Sequence, residues 1–376
     1  MALVLTEEQQ ILQATAREFV ASKSPLARLR ALRDEPDGDG FTPALWREMA
    51  QLGWAGIVLP ETYGGAGLGY LELMVVMEEL GRALVPEPML SSVLLGANAV
   101  LLGGTEAQRH AYLPGVAAGE TRLALAYQEP GSRYDARSVE TRAESAAGGY
   151  RLTGTKTQVL DAPRADHLVV SARAAGDVAL FVVPRGAPGV TIERQRRLDG
   201  RVTGLVTLEG VPVGADAMLG DAGQGGPVLA RVLDRATVAL TAEMLGGMQA
   251  AFEMTLDYLK TRQQFGKPIG SFQALKHRAA RLFIELELSR SIVMAAHQAL
   301  DDGKDDAQVA RLASIAKARC SDAFMQLGNE GVQMHGGIGM TDEHDVGLYL
   351  KRARATEIQF GDAAWHRNRV ATLDGY

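Results

Sequence analysis

The stretch from Thr261 to Gln273 reads TRQQFGKPIGSFQ and turns sharply between two long helical patterns. Its arginine, Arg262, can hold a phosphate through two hydrogen bonds, Phe265 offers a flat apolar face, and Gln273 can bond the edge of a heterocycle. Together these groups suit a pyrophosphate joined to an aromatic ring system. The alternative is a surface arginine beside a packed phenylalanine, with Ser271 capping the next helix.

A second stretch, QMHGGIGM from Gln333 to Met340, places glycines where a ligand could approach the backbone. Gly336 and Gly337 carry no side chain that would block such an approach. The alternative is the end of a helix followed by a turn. We expect no metal site at His335, because no second histidine or carboxylate stands at ligand spacing on the same helix.

The composition is that of a folded globular protein, with 47% hydrophobic and 22% charged residues among 376. The net charge is -6 and no run of lysine or arginine occurs, so neither nucleic acid nor a membrane is an expected partner. The one cysteine, Cys320, predicts a buried thiol in a reducing compartment. The opening MALVLTEEQQ places Thr6 to cap a helix, unlike a secretory leader, and we expect a cytoplasmic protein.

Three regions follow one another along the chain. Helical periodicity extends to about residue 119, short β-rich runs follow from about 121 to 214, and long helical patterns begin at Val228. The late patterns are long enough for an antiparallel bundle of four helices. We therefore predict a mainly α protein with a central β-domain. Its segments are residues 1–119, 120–216 and 217–376, and the helices expected in the first segment are 10–20, 44–52, 71–84 and 93–102.

Three stretches carry a resemblance to one family. RQQFGKPIGSFQALKHR, QMHGGIGMTDEHDVGLYLKRARA and LPETYGGAGLGYLELMVVMEELGRALVPEPML resemble the acyl-CoA dehydrogenase family, in the right order and over essentially the whole chain. The resemblance implies an N-terminal helical domain, a middle β-barrel-like domain and a C-terminal four-helix bundle. It further implies a dimer of dimers with FAD bound across subunits, an acyl-CoA substrate, and an electron-transfer flavoprotein as acceptor.

The resemblance also assigns roles to residues. By resemblance, Arg262, Phe265 and Gln273 reach FAD held mainly by a neighbouring subunit. Gln333, Gly336 and Gly337 approach its ADP portion. The flavin-ring contacts fall on Tyr127, Gln128 and Gln158.

The flavin-ring motifs depart from the family pattern. The chain has YQEPGSRYD where the family carries a stretch like TEPxxGSD, so Gln128 takes the threonine position. The motif resembling GxKxWITN reads GTKTQVLD, and Gln158 stands where tryptophan would lie against the isoalloxazine.

The catalytic base also departs from the family pattern. The late glutamate of the family is replaced by Phe360 in EIQFGDAAWHR, and the second family location holds Ala236 in VLDRATVAL. Neither side chain can accept a proton. Asp362 and Glu243 are candidate substitutes, and the alternatives are a helix cap or surface acid for Asp362 and a helix-surface or interface acid for Glu243.

Three functions are compatible with this pattern. The first is an FAD-dependent acyl-CoA dehydrogenase that forms the α,β double bond of a thioester with a displaced base. The second is a non-catalytic or half-site subunit of a heteromeric acyl-CoA dehydrogenase, such as a heterotetramer with a paralogous subunit. The third is a flavin oxidase or monooxygenase on the same fold.

Overall fold

The computed structural model describes residues 4–36 and 38–376, so three residues of the predicted N-terminal segment, and Asp37, lie outside the described residues. The chain divides into two compact units, each assembled from separate stretches. The first unit comprises the described residues of Met1–Asp34, with Gly69–Val85 and Thr237–Tyr376, and the second those of Glu35–Leu68 and Pro86–Ala236. The three segment boundaries expected from the sequence stay a prediction.

Helices dominate the described chain, and a sheet occupies its middle. The helices are α1 Glu7–Lys23, α2 Leu26–Asp34, α3 Pro43–Gln51, α4 Tyr70–Arg82, α5 Asn98–Gly103, α6 Glu106–Ala117, α7 Gly225–Thr261, α8 Gln273–Asp301, α9 Asp306–His335, α10 Val346–Ile358 and α11 Ala363–Leu373. The strands are β1 Leu123–Ala126, β2 Arg142–Ala146, β3 Gly149–Leu160, β4 His167–Ala174, β5 Asp177–Pro184, β6 Val190–Arg196, β7 Val202–Gly214, β8 Gln263–Gln264 and β9 Lys267–Pro268. This order confirms the predicted fold of helical ends around a β-domain.

The first unit is a helical assembly. Its helix α9 packs against α8, α10 and α11, while α4 packs against α1 and α8. Small apolar side chains fill a fully buried cluster, namely Val238, Ala296, Ala313 and Ala316. Cys320 is also fully buried, which confirms the predicted buried thiol.

The predicted caps have opposite outcomes. Thr6 forms a capping box with Gln9, whose backbone N–H donates to the threonine hydroxyl at 3.3 Å. The predicted cap by Ser271 is wrong. A short 3₁₀ helix, Ile269–Ser271, takes up the residues before α8, so Phe272 occupies the N-cap position and no side chain caps the helix.

Helices α4 and α7 approach each other backbone to backbone. A Cβ added at Gly81 would overlap the carbonyl oxygen of Glu243, and one added at Gly246 would overlap the carbonyl oxygen of Glu78. Only glycine fits at such a crossing, because the helix axes come closer than side chains permit.

Acidic side chains beside this crossing are buried and paired with arginines from other helices. Glu79 is 1% exposed and accepts a hydrogen bond from Arg17 of α1 at 2.7 Å. Glu78 is 5% exposed and accepts one from Arg290 of α8 at 2.7 Å. Removing Arg290 would leave the buried Glu78 without this counter-charge, whereas Glu79 also has the Nε atom of Arg82 at 3.5 Å.

The second unit contains the sheet. Its seven strands lie in the order β1-β4-β2-β3-β7-β6, with β5 also paired to β4. Strands β1 and β4 are parallel, β4 and β5 are antiparallel, and β3 pairs with β7 through two register shifts. Apolar side chains from these strands form the main core of the unit.

A π-helix stands where ordinary helical periodicity was expected. The segment Met89–Ala97 is a π-helix, and α5 follows it at Asn98, so the prediction of one α-helix over 93–102 is wrong in type. All nine residues of the π-helix are buried. Because every face is covered, the apolar pattern alone does not distinguish the wider turn from an α-helix.

Among the described residues, no helix combines the length and the apolar run needed to cross a bilayer.

The helix crossing gives a stability prediction. We expect Gly246→Ala to destabilise the protein by about 3 kcal/mol or more, because the new methyl group must push two backbones apart. Gly347→Ala is the matched control, since its Cβ would meet nothing closer than an oxygen at 4.0 Å and alanine favours a helix. Urea unfolding measures both variants. Equal midpoints for wild type and Gly246→Ala would contradict the close crossing.

Candidate functional site

The corner after α7 is a tight two-residue hairpin. Strands β8 and β9 pair through Gln263 with Pro268 and Gln264 with Lys267. Phe265 and Gly266, the residues of the turn, both have positive φ, at 53° and 78°. A positive φ strains most residues other than glycine, asparagine and aspartate. A bulky residue such as phenylalanine is an outlier in this conformation.

The side chains of this corner are exposed. Phe265 is 89% exposed, and Arg262 and Gln273 are exposed as well. The Phe265 ring has one aromatic neighbour among the described residues, Phe272, at a centroid distance of 6.0 Å. An exposed ring on a strained backbone is not explained by packing within the described chain. It fits a surface that a ligand or another chain covers.

The glycine-rich stretch lies at the end of α9. Gln333 is exposed, and its carbonyl oxygen accepts the N–H of Gly336, whose φ is 66°. A Cβ at Gly336 or Gly337 would meet no atom within 4 Å, so the approach to this backbone is open.

Ring contacts bring the two stretches to the same end of the first unit. Tyr258, one turn before the hairpin, lies 4.5 Å from the ring centroid of His335, which immediately precedes the glycines. The combined edge offers a guanidinium, two carboxamides, an exposed aromatic ring and bare glycines. That donor set fits the dinucleotide implied by the resemblance, whose phosphates need cationic and backbone donors.

Two other predicted contact residues, Gln128 and Gln158, are linked through adjacent backbone in the second unit. The carbonyl oxygen of Gln128 accepts the N–H of Thr157 at 2.8 Å. Gln158 follows at once, exposed, with φ 53° in a β-bulge. The side-chain amide of Gln128 donates to the carbonyl oxygen of Arg133 at 3.0 Å, so it stabilises the loop between these two residues.

Tyr127 lies beside this pair. Its carbonyl oxygen accepts the hydroxyl of Ser171 at 3.4 Å, and its ring is half-buried. Burial raises the pKa of its hydroxyl, which therefore stays a neutral hydrogen-bonding group.

A buried ion pair links the two motifs that contain Gln128 and Gln158. Lys156 of β3 donates to Glu129 at 2.6 Å and to the hydroxyl of Ser171 at 2.9 Å. Burial lowers the pKa of Lys156 to about 8. Burial also acts to raise the pKa of Glu129, but the lysine outweighs it and the net direction is down. Sequence reasoning did not identify this pair, although both residues lie inside the two compared motifs.

The family position of the base holds an apolar side chain. Phe360 is 9% exposed and has a positive φ of 62°, and Gly361 follows at 122°. Asp362 caps α11, where its carboxylate accepts the N–H of Trp365 at 2.8 Å. This is the cap expected as the alternative reading of Asp362.

The other candidate positions lie on α7. Ala236 is fully buried. Glu243 is 4% exposed and accepts hydrogen bonds from Arg352 at 2.9 Å and 2.8 Å. Of the two alternatives for this residue, the helix-surface acid is therefore wrong, and the interface acid stays a prediction. A carboxylate held by a buried guanidinium must give up that pairing before it can accept a proton.

A buried lysine holds the turn at Phe360. Lys317 of α9 donates to the carbonyl oxygens of Gly361 at 2.8 Å and Glu357 at 2.9 Å. It also donates to the hydroxyl of Ser321 at 3.0 Å. Burial lowers the pKa of Lys317 to about 7. Its place in the apolar stripe of α9, between Ala313 and Cys320, is the sequence signal that could have identified it.

A histidine, His366, lies against the same turn at Phe360 and Gly361. His366 is 1% exposed, and burial lowers its pKa to about 2, with the charge of Lys317 adding to the effect. A Cβ at Gly361 would come within 2.9 Å of its Nε2 atom, so only glycine fits beside the ring. The turn thus combines an apolar side chain, a lysine and a neutral histidine where the family places a carboxylate.

Three models of one protein family together match most of the chain. Family models for the acyl-CoA dehydrogenase N-terminal, middle and C-terminal domains match residues 6–120, 124–211 and 223–372. Mitochondrial isovaleryl-CoA dehydrogenase of Pongo abelii is 32% identical, over 96% of this chain and 88% of that protein.

Solved structures agree as well. A variant of the Tcur3481-Tcur3483 steroid ACAD is 34% identical with a TM-score of 0.87, covering 98% of both chains. The ChsE4-ChsE5 complex from Mycobacterium tuberculosis is 29% identical with a TM-score of 0.91, covering 100% of both chains.

Lys317 gives a pH prediction with a defined sign. Between its folded pKa of about 7 and its ordinary value of 10.5, the unfolded chain binds more protons than the folded chain. Stability from this group therefore rises with pH through that window. We expect wild type to gain roughly 1–2 kcal/mol relative to Lys317→Met between pH 7 and pH 9.

Urea unfolding at several pH values measures this difference. Lys304→Met serves as the control, because Lys304 lies exposed after α8. If the free energy of unfolding changed with pH in the same way for wild type and Lys317→Met, the buried amine would keep its proton throughout.

Proposed function

Because the chain belongs to the acyl-CoA dehydrogenase family, we propose that it is one subunit of an FAD-dependent acyl-CoA dehydrogenase whose catalytic base comes from a paralogous subunit. Proteins of this family are oxidoreductases acting on a CH–CH bond, and FAD is their cofactor. One observation carries the proposal: the turn that should present a glutamate presents Phe360, and both nearby substitutes are engaged elsewhere.

The residues of the exposed edge would hold the cofactor. Arg262 would bind its pyrophosphate, and Phe265 and Gln273 would contact its rings across a subunit boundary. Gln333, Gly336 and Gly337 would approach the ADP portion. When bound, FAD accepts the β-hydrogen of the acyl thioester as a hydride while a carboxylate takes the α-proton.

The engaged acids support a half-site. Asp362 caps α11 and Glu243 is paired with Arg352, so the described turn and helix offer no uncommitted carboxylate at either family position. The chain keeps the residues that it would donate to a neighbour and alters those that would serve its own flavin, Gln128 and Gln158.

The partners follow from this assignment. We propose a heterotetramer with a paralogous subunit, an acyl-CoA substrate, and an electron-transfer flavoprotein as acceptor. Two similar solved structures carry two-component names, ChsE4-ChsE5 and Tcur3481-Tcur3483, which supports a heteromeric assembly. A cytoplasmic location stays a prediction.

A second function is favoured by the position of Asp362. Asp362 lies two residues beyond Phe360, on the turn itself, and in the described chain its carboxylate accepts one hydrogen bond, from the backbone N–H of Trp365. The lone chain would then be an acyl-CoA dehydrogenase with a displaced base.

Variants of the acids decide between these functions. For the half-site we expect the lone chain to show low flavin occupancy and no bleaching by straight-chain, branched or steroid acyl-CoA under anaerobic conditions. The co-expressed complex should bleach, and changing the partner's glutamate to glutamine should slow it about 10²- to 10⁴-fold.

Asp362→Asn should leave the complex unaffected, since asparagine also caps helices. Rapid bleaching by the lone chain that Asp362→Asn abolishes would instead establish the displaced base. Rapid bleaching unaffected by Asp362→Asn and Glu243→Gln would contradict both functions.

Arg262 gives a cofactor prediction. Arg262→Lys keeps the charge but loses the planar two-point contact, so FAD affinity of the assembled protein should fall about tenfold or more. Fluorescence titration of the deflavinated assembly measures it. Arg185→Lys is the control, since Arg185 lies exposed after β5. Equal affinity of Arg262→Lys and wild type would remove Arg262 from the cofactor site.

A further inference from the structure

Three rings pack against one another at one end of the first unit, two pairs tilted and one edge-on. Tyr258 is on α7, His335 is the last residue of α9, and His344 lies in the segment before α10. The Tyr258 and His335 centroids lie 4.5 Å apart, and those of His335 and His344 lie 4.3 Å apart. Tyr258 also meets His344 edge-on at 6.2 Å. Each ring therefore contacts the other two, and we call them the ring stack.

Each ring belongs to a segment that carries or borders the proposed cofactor edge. The backbone carbonyl oxygen of Tyr258 accepts the N–H of Arg262 at 2.9 Å, so the tyrosine lies in the last turn before the hairpin. His335 directly precedes Gly336. A Cβ at Gly339 would lie 3.0 Å from the Cβ of His335, so the glycine turn folds back onto this histidine.

Helix α2 holds the third segment in place. Arg30 donates to Asp345 through Nε at 3.0 Å and Nη2 at 2.8 Å. Arg33 donates to Asp342 through two nitrogens, both at 2.8 Å. These pairs bracket His344 from both sides along the chain. The ring stack thus joins the ends of α7 and α9 to the segment before α10, and α2 holds that segment.

The hydrogen bonds of His335 suit a neutral ring. Its Nδ1 atom lies 2.7 Å from the carbonyl oxygen of Gly331, which requires a proton on that nitrogen. Its Nε2 atom is buried with no hydrogen-bond partner in the described chain. A second proton on this ring would therefore lack an acceptor. His344 is held by its backbone neighbour, since its Nδ1 atom accepts the N–H of Val346 at 3.2 Å.

Neighbouring charges do not compensate such a proton. Burial lowers the pKa of His335, and His344 adds to this, while the Gly331 carbonyl opposes it. Ion pairs occupy most charged groups of the neighbouring segments, and Glu343 lies exposed beside His344. The pairs are Arg30 and Arg33 of α2 with Asp345 and Asp342, Lys351 of α10 with Asp342, Lys260 with Asp257 on α7, and Glu330 of α9 with Arg278 of α8.

We propose that Tyr258, His335 and His344 position the two halves of the cofactor edge, and that protonation of His335 loosens the stack and weakens FAD retention at acidic pH. The inference rests on the proposed function only for the identity of the ligand. The rings are positioning residues, since they act through Arg262 and the glycine turn.

The test compares two replacements of His335 in the assembled protein. His335→Phe keeps a ring but cannot take a proton, whereas His335→Leu removes the ring. For wild type we expect the FAD dissociation constant to rise with falling pH, by up to about tenfold per unit below the pKa of the loosened state. His335→Phe should match wild type at pH 8 and lose this slope. His335→Leu should bind about tenfold more weakly at every pH.

A matched control exists in α8. His297 is fully buried, its Nδ1 lies 2.8 Å from the carbonyl oxygen of Val293, and its Nε2 also lacks a partner in the described chain. It lies in the bundle core and touches no residue of the cofactor edge. His297→Phe should keep the wild-type pH slope. A full slope in His335→Phe, or unchanged affinity in His335→Leu, would overturn the proposal.

A measurement without FAD separates this inference from the proposed function. Hydrogen exchange of residues 336–345 in flavin-free protein at pH 7.5 should be faster in His335→Leu than in wild type and unchanged in His335→Phe. Unchanged exchange in His335→Leu overturns the ring stack. A wild-type assembly that binds no FAD at any pH overturns the proposed function and the cofactor part of the inference, while the exchange result still decides the stack.

Discussion

The backbone contact between α4 and α7 determines much of the first unit. Because Gly81 and Gly246 let the two helices touch, the residues beside them lose their access to water. Several of those residues are acids, and a buried carboxylate is tolerated only with a counter-charge and hydrogen bonds. Arginines from α1, α8 and α10 supply these counter-charges and hydrogen bonds. Buried ion pairs beside this one crossing therefore connect five helices.

The same crossing bears on catalysis. Glu243 was a candidate base on the strength of its helix position, yet the contact that buries it also binds it to Arg352, 109 residues further along the chain. A base must alternate between two protonation states with little penalty. A carboxylate that carries part of the helix packing does so poorly, and this is why the proposed function assigns proton abstraction to another subunit.

Sequence patterns predicted the parts of the structure that depend on neighbouring residues. The Thr6 cap, the long helices, the order of helical and β regions and the buried Cys320 all follow from local periodicity and capping chemistry. The corner at Phe265 and the glycine turn at Gly336 follow from local glycine patterns, and their role as places for a ligand stays a prediction. The prediction of Ser271 as a cap was wrong because Ser271 lies in a short 3₁₀ helix, so α8 begins one residue later than the prediction required. No local sequence pattern indicated this 3₁₀ helix.

Features that depend on distant residues were not predictable in this way. The pairing of Lys317 with the turn at Gly361 joins positions 44 residues apart, and nothing near either residue specifies it. The ring stack is similar, since its three aromatic residues come from three separate segments. For the π-helix at Met89–Ala97 the limit is different: a segment buried on all sides shows no polar face from which the number of residues per turn could be read.

The turn at Phe265 has a consequence for protein engineering. A screen for thermal stability would replace this phenylalanine with asparagine or glycine, since either relaxes the backbone and removes an exposed apolar ring. Such variants would gain stability as isolated chains. Under the proposed function the same change would remove the ring that contacts the cofactor across a subunit boundary. Position 265 is therefore a place where selection for a stable monomer and selection for the proposed complex would favour different residues.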